Sequence, residues 1–167
     1  MKLALRLCLI ALAVASLPAE AQINDITRFN MRPLLQLHAV GTDFTGQPFE
    51  SDVFIYQGGP TFLAYTAATG NACRVDRGVA TQQQLMALNQ ALASNRIGQQ
   101  RSGCGDPAPD HVSTYTLTWY GKQRVKTITA GGNYTTCPDE VQRILNATCD
   151  FIWAVLGPAP EVCVPHA

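Results

Sequence analysis

Residues 52–66 read DVFIYQGGPTFLAYT, and this stretch decides the fold of the chain. Apolar and aromatic residues occupy both sides of a Gly58-Gly59 pair, a pattern typical of two β-strands joined by a tight turn. Glycine adopts positive φ at little cost, so we expect both glycines to shape the turn. The stretch therefore predicts a β-hairpin.

A second hairpin is predicted further along the chain. In Val112–Tyr120, apolar and aromatic residues alternate with threonines. Gly121-Lys122 then provides a turn, and Arg124–Thr129 resumes the extended pattern. Threonine and aromatic residues favour strands because they pack well on a pleated surface.

Two further segments have the spacing of amphipathic helices, and each follows one of the hairpins. The first spans Thr81–Ser94, where Thr81 and Gln84 have the spacing of a capping box. The second is expected to begin with Thr136 and Asp139 at the same spacing, and to end at Gly157.

This order of elements predicts an α+β domain. We expect an antiparallel sheet made of two hairpins plus an N-terminal strand near Leu34–Val40, with two helices packed on one face. The expected divisions are a signal peptide at 1–21, an N-terminal arm and strand at 22–51, the α+β domain at 52–156 and a C-terminal tail at 157–167.

Composition and charge exclude two classes of protein. Of the 167 residues, 47% are hydrophobic and 14% are charged, which is unlike a disordered chain. Twelve Lys and Arg residues balance twelve Asp and Glu residues, so the chain lacks the charge of a polybasic nucleic-acid-binding protein.

The first 21 residues have the pattern of a secretory signal peptide. Lys2 and Arg6 precede an apolar run, and Ala19-Glu20-Ala21 fits the small-x-small cleavage rule. The apolar run is too short to cross a bilayer. We therefore expect a secreted or periplasmic protein with no membrane span after signal removal.

Five cysteines follow the signal peptide: Cys73, Cys104, Cys137, Cys149 and Cys163. In an exported chain, such residues form disulfides more often than metal sites. Cys104 and Cys137 flank the neighbouring ends of the second hairpin, so their pairing is predicted. Cys137 and Cys149 should not pair, because about 18 Å of helix separates them. The partner of Cys149 is left open between Cys73 and Cys163.

The first hairpin turn is the candidate binding site. Gly58 and Gly59 shape it, and Phe62 provides an apolar side chain that could enter a groove on a protein partner. We expect no cofactor and no metal site.

Two alternative functions remain open. Asp106, Asp110 and His111 share one loop and could serve a small envelope hydrolase, although the chain lacks the common catalytic motifs. The odd cysteine would suit a structural subunit that forms a disulfide-linked dimer.

The order and spacing of elements over about residues 52–152 resemble the emfourins, small bacterial protein inhibitors of thermolysin-like metalloproteases. The matching features, in chain order, are Gly58-Gly59, Arg74-Val75-Asp76, the leucine-spaced helix, Tyr115-x-Leu117, Arg124-x-x-x-Ile128-Thr129, Pro138 and the final helix. The resemblance implies a protein-binding module with Gly58 and Gly59 as shape-setting residues. We therefore expect a disulfide-stabilised binding module, with inhibition of a metalloprotease as the specific hypothesis.

Overall fold

A computed structural model describes residues 33–42, 46–67, 73–106, 112–157 and 163. Its strands are β1 (Pro33–Thr42), β2 (Pro48–Tyr56), β3 (Pro60–Ala67), β4 (Cys73–Val79), β5 (Val112–Tyr120) and β6 (Val125–Gly131). Its helices are α1 (Gln82–Ser94) and α2 (Asp139–Leu156), and single 3₁₀ turns occupy Ile97–Gln99 and Tyr134–Thr136. The predicted α+β fold is confirmed.

The six strands form one antiparallel sheet in the order β4-β3-β2-β1-β5-β6. The N-terminal strand β1 lies in the middle and joins the two predicted hairpins, β2–β3 and β5–β6. The segment from Cys73 onward forms a separate edge strand, β4, which pairs with β3. Two hairpins and an N-terminal strand would give five strands, whereas the sheet has six because β4 is added.

The main core lies between one face of the sheet and the two helices. Leu35 and Leu37 of β1 are fully buried there, together with Ile144 and Ile152 of α2. Where α2 ends, its backbone approaches β4 so closely that a Cβ atom on Gly78 would lie 2.5 Å from the carbonyl oxygen of Val155. Glycine at this position therefore allows helix and strand to touch.

The predicted start of α1 is confirmed. Thr81 is the N-cap, its hydroxyl accepts a hydrogen bond from the backbone N–H of Gln84 (3.2 Å), and the Gln84 side chain accepts one from the N–H of Thr81 (2.8 Å). This reciprocal pair satisfies two N–H groups that a helix start otherwise leaves without partners.

The predicted capping pair of α2 is wrong. Thr136 belongs to a 3₁₀ turn that the Cys137 N–H closes on the carbonyl of Tyr134. Cys137 and Pro138 are then extended, so Pro138 becomes the N-cap and the helix begins without a side-chain cap. The Thr136 hydroxyl instead donates to the carboxylate of Asp106 at 3.5 Å.

Two disulfides cross-link the described residues. Cys104 pairs with Cys137, as predicted, with Cα atoms 5.1 Å apart. Cys149 pairs with Cys163 (Cα–Cα 5.5 Å), which decides between its two expected partners. The side chain of Cys73 is outside the described part of the structure, so the dimer hypothesis stays a prediction.

Candidate functional site

The sheet face opposite the two helices carries several polar side chains, interspersed with Val40 and Phe54. Side chains at alternate positions of a strand share a face, so Gln36 and His38 of β1 lie on the same face as Glu50 and Asp52 of β2. His38 is the direct cross-strand neighbour of Asp52, and Glu50 is two residues from Asp52 on the same strand. We call this surface the polar face.

His38, Glu50 and Asp52 form a compact group on the polar face, which we call the His38 cluster. The imidazole Nδ1 lies 3.2 Å from an oxygen of Asp52, and Nε2 lies 3.8 Å from an oxygen of Glu50. Glu50 and Asp52 are buried, with 9% and 6% of their surface exposed, whereas His38 is half-buried. The imidazole therefore contacts both carboxylates.

Two neighbouring side chains hold Asp52 in place. The Gln36 amide donates to the same Asp52 oxygen that His38 contacts (2.7 Å), and the Tyr120 hydroxyl donates to the Gln36 amide oxygen (3.1 Å). Three strands, β1, β2 and β5, thus contribute to one hydrogen-bonded chain. Tyr56 lies beside this chain of hydrogen bonds. Burial raises the pKa of the Tyr56 hydroxyl, and the neighbouring Tyr120 adds a smaller increase.

The first hairpin turn lies at one end of the sheet, and its glycines differ in role. The Gly59 N–H donates to the carbonyl of Tyr56 (3.0 Å), which closes a four-residue turn. Gly59 has a φ of 103° and is buried, but Gly58 is exposed and has no positive φ. The expectation of a positive φ at both glycines is therefore wrong, because the turn needs a left-handed residue only at its last position.

Phe62 does not lie at the tip of the turn. It is a half-buried residue of β3, and its ring packs edge-on against that of Tyr56, with centroids 5.9 Å apart. The ring therefore supports the base of the turn.

The acidic loop is described only in part, since Asp110 and His111 are outside the described residues. The backbone of Asp106 pairs with that of Asn133 through hydrogen bonds of 2.9 and 3.0 Å. These contacts and the Thr136 hydroxyl give Asp106 a structural role beside the Cys104–Cys137 bridge.

Sequence reasoning missed the His38 cluster. The pattern placed the start of the second strand at Asp52, whereas β2 begins at Pro48 and includes Glu50. The alternation of Glu50 and Asp52 in a strand was the available signal, because it places two carboxylates on one face. Only the pairing of β1 with β2 brings His38 to them.

No family model and no curated protein matches this chain. Among the described residues, neither helix combines the length and the apolar composition that a membrane span requires.

Proposed function

We propose that this chain is an exported binding protein that contacts a protein partner through the first hairpin turn and the adjacent end of β4. This contact surface, which we call the turn tip, consists of Gln57, Gly58 and Val79. The two disulfides support export, because such bonds persist in oxidising compartments.

The turn tip is held rigidly. The Gly59 carbonyl accepts a hydrogen bond from the N–H of Ala80 (2.8 Å), which ties the turn to the start of α1. The Thr61 hydroxyl donates to the same carbonyl at 3.4 Å. A surface that is already ordered loses less conformational entropy when it binds a partner.

The observation that carries the proposal is an exposed apolar side chain on this rigid support. Val79 is 71% exposed, and its Cγ1 lies 3.6 Å from the position that a Cβ atom would occupy on Gly59. Gln57 and Gly58 beside it are exposed as well. An apolar side chain flanked by polar backbone and amide groups matches the apolar centre and polar rim of protein interfaces.

We further propose that the partner is a thermolysin-like metalloprotease. The order of elements supports this partner class through its resemblance to the emfourins, and the turn tip provides a contact surface. Inhibition by binding needs no catalytic group on this chain.

The test is a titration of the purified, oxidised protein into a thermolysin-like protease while residual activity is followed. We expect activity to fall as the protein is added, and the protein to remain uncleaved on a gel. Val79→Asp places a charge on the turn tip and should weaken inhibition at least tenfold.

Val125→Asp is the matched control, because Val125 is 61% exposed on β6, the opposite edge of the sheet. This variant should inhibit like the wild type. Full protease activity at micromolar wild-type protein, or equal loss of inhibition in the two variants, would contradict the proposal.

A further inference from the structure

We propose that the His38 cluster binds a divalent transition-metal ion, with His38, Glu50 and Asp52 as its ligands. This site is separate from the turn tip and does not depend on the proposed protease partner.

The three residues provide suitable donor atoms. One imidazole nitrogen and two carboxylate oxygens match the nitrogen and oxygen ligands that Zn²⁺ accepts, and imidazole favours such metals over Ca²⁺ and Mg²⁺. The donors come from two adjacent, paired strands, so the backbone hydrogen bonds of the sheet hold them in a fixed register.

The distances also suit a metal ion. One donor atom from each residue lies within 4.8 Å of the other two. Two ligands about 2.1 Å from a tetrahedral ion are about 3.4 Å apart. Because Asp52 and Glu50 contact different imidazole nitrogens, the carboxylate beside the other nitrogen must rotate towards the nitrogen that binds the ion.

The charges of Glu50 and Asp52 give a second, independent reason to expect a bound cation. The Glu50 and Asp52 side chains lie on the same face of one strand and are only 11% and 9% exposed. Among the described residues, His38 is the only basic side chain within 4.0 Å of either carboxylate. Buried like charges need compensation, and a divalent cation would balance the two carboxylates.

The surroundings already orient one ligand. Gln36 donates to an Asp52 oxygen and is itself held by Tyr120. Metal-binding carboxylates are commonly positioned by such hydrogen bonds, and their loss weakens metal binding about 10- to 100-fold.

The experiment titrates Zn²⁺ into tag-free, oxidised full-length protein against a fluorescent zinc chelator, with Co²⁺ absorbance as a second readout. We expect one Zn²⁺ per chain, a higher melting temperature with Zn²⁺, and much weaker binding of Ca²⁺. Glu50→Gln, Asp52→Asn and His38→Gln should each lower Zn²⁺ affinity at least tenfold.

Two controls separate this site from others. Asp76→Asn removes a carboxylate on β4 that pairs with Arg74, and it should bind Zn²⁺ like the wild type. A variant with His111→Gln and His166→Gln should also keep the site. Near-UV circular dichroism checks that each variant is folded.

Failure of the wild type to bind Zn²⁺ at 100 µM would overturn the proposal, whatever the variants do. Equal affinity for Ca²⁺, or unchanged affinity in Glu50→Gln and Asp52→Asn, would also overturn it. None of these outcomes bears on protease inhibition, so the two proposals fail separately.

Discussion

Tyr134 shows at the scale of one residue how burial sets chemistry in this protein. It is 2% exposed, its hydroxyl donates to the side chain of Asn146 (2.8 Å), and its ring packs edge-on against Tyr115. Burial strongly raises the pKa of its hydroxyl, and Tyr115 and Asp150 add to this effect. The folded protein therefore keeps the Tyr134 proton at a pH where the unfolded chain loses it.

Tyr134→Phe should reduce the loss of stability at alkaline pH. The folded-state pKa lies above the ordinary value of 10.0, so the stabilisation is complete below about pH 10 and decreases as the pH rises further. Between pH 10 and pH 11, the wild type should lose about 1 kcal/mol more unfolding free energy than the variant. Urea denaturation at pH 8, 10 and 11 measures this difference.

The variant also loses the hydrogen bond to Asn146, which should lower its stability by about 1 kcal/mol at every pH. The pH-dependent part is thus separable from the constant part. Identical pH dependence in the two proteins would show that Tyr134 does not titrate as its burial implies.

Single residues were predictable from sequence where a local pattern constrained them. Thr81 and Gln84 are only three positions apart in one chain segment, so their capping box could be identified directly from the sequence. His38 could not be identified as a site residue from the sequence, because its neighbours Glu50 and Asp52 are on another strand. A side chain's role depends on partners that the local sequence does not contain.

At the scale of elements, the first hairpin depends on one of its two glycines. Gly59→Ala should destabilise the protein by about 1–3 kcal/mol, because the residue has a positive φ. Its Cβ atom would also lie 2.9 Å from the carbonyl oxygen of Ala80. Urea denaturation of the purified variant measures the loss.

Gly58→Ala is the control, since Gly58 is exposed and lacks a positive φ. Exposed substitutions without strain change stability by about 0.5 kcal/mol or less. If both variants were equally destabilised, the separate roles of the two glycines would be refuted.

Element type was largely predictable, and element boundaries were less so. Both hairpins and both helices are where periodicity and turn residues indicated. The start of α2 differs from the prediction because Thr136 belongs to the 3₁₀ turn that the Cys137 N–H closes on the Tyr134 carbonyl. A capping pattern is a local preference, and here the backbone hydrogen bond of the preceding turn overrides it.

At the scale of the whole molecule, the two disulfides should differ in their effect on stability. Cys104–Cys137 spans a sequence separation of 33 and Cys149–Cys163 spans 14. Closing the longer loop restricts the unfolded chain more. Changing Cys104 and Cys137 to serine should lower the free energy of unfolding by about 3.7 kcal/mol, and changing Cys149 and Cys163 to serine by about 3 kcal/mol. Urea denaturation of the two double variants measures this order, and the reverse order would contradict the loop-closure argument.

The position of β1 illustrates what periodicity leaves undecided. Its alternating pattern predicts a strand, but its neighbours β2 and β5 follow it at very different distances along the chain. Which strands pair with β1 depends on burial and hydrogen bonding over the whole sheet, so the strand order is decided by tertiary structure.

The amino-acid sequence by itself determined the α+β class, the two hairpins, the cap of α1 and the Cys104–Cys137 bridge. Each follows from backbone sterics, side-chain periodicity or the short distance between the ends of a hairpin. Only the tertiary structure decided the central place of β1, the Cys149–Cys163 bridge and the approach of His38 to Glu50 and Asp52. These features depend on long-range packing, which selects one strand order and one register from many that the local patterns permit.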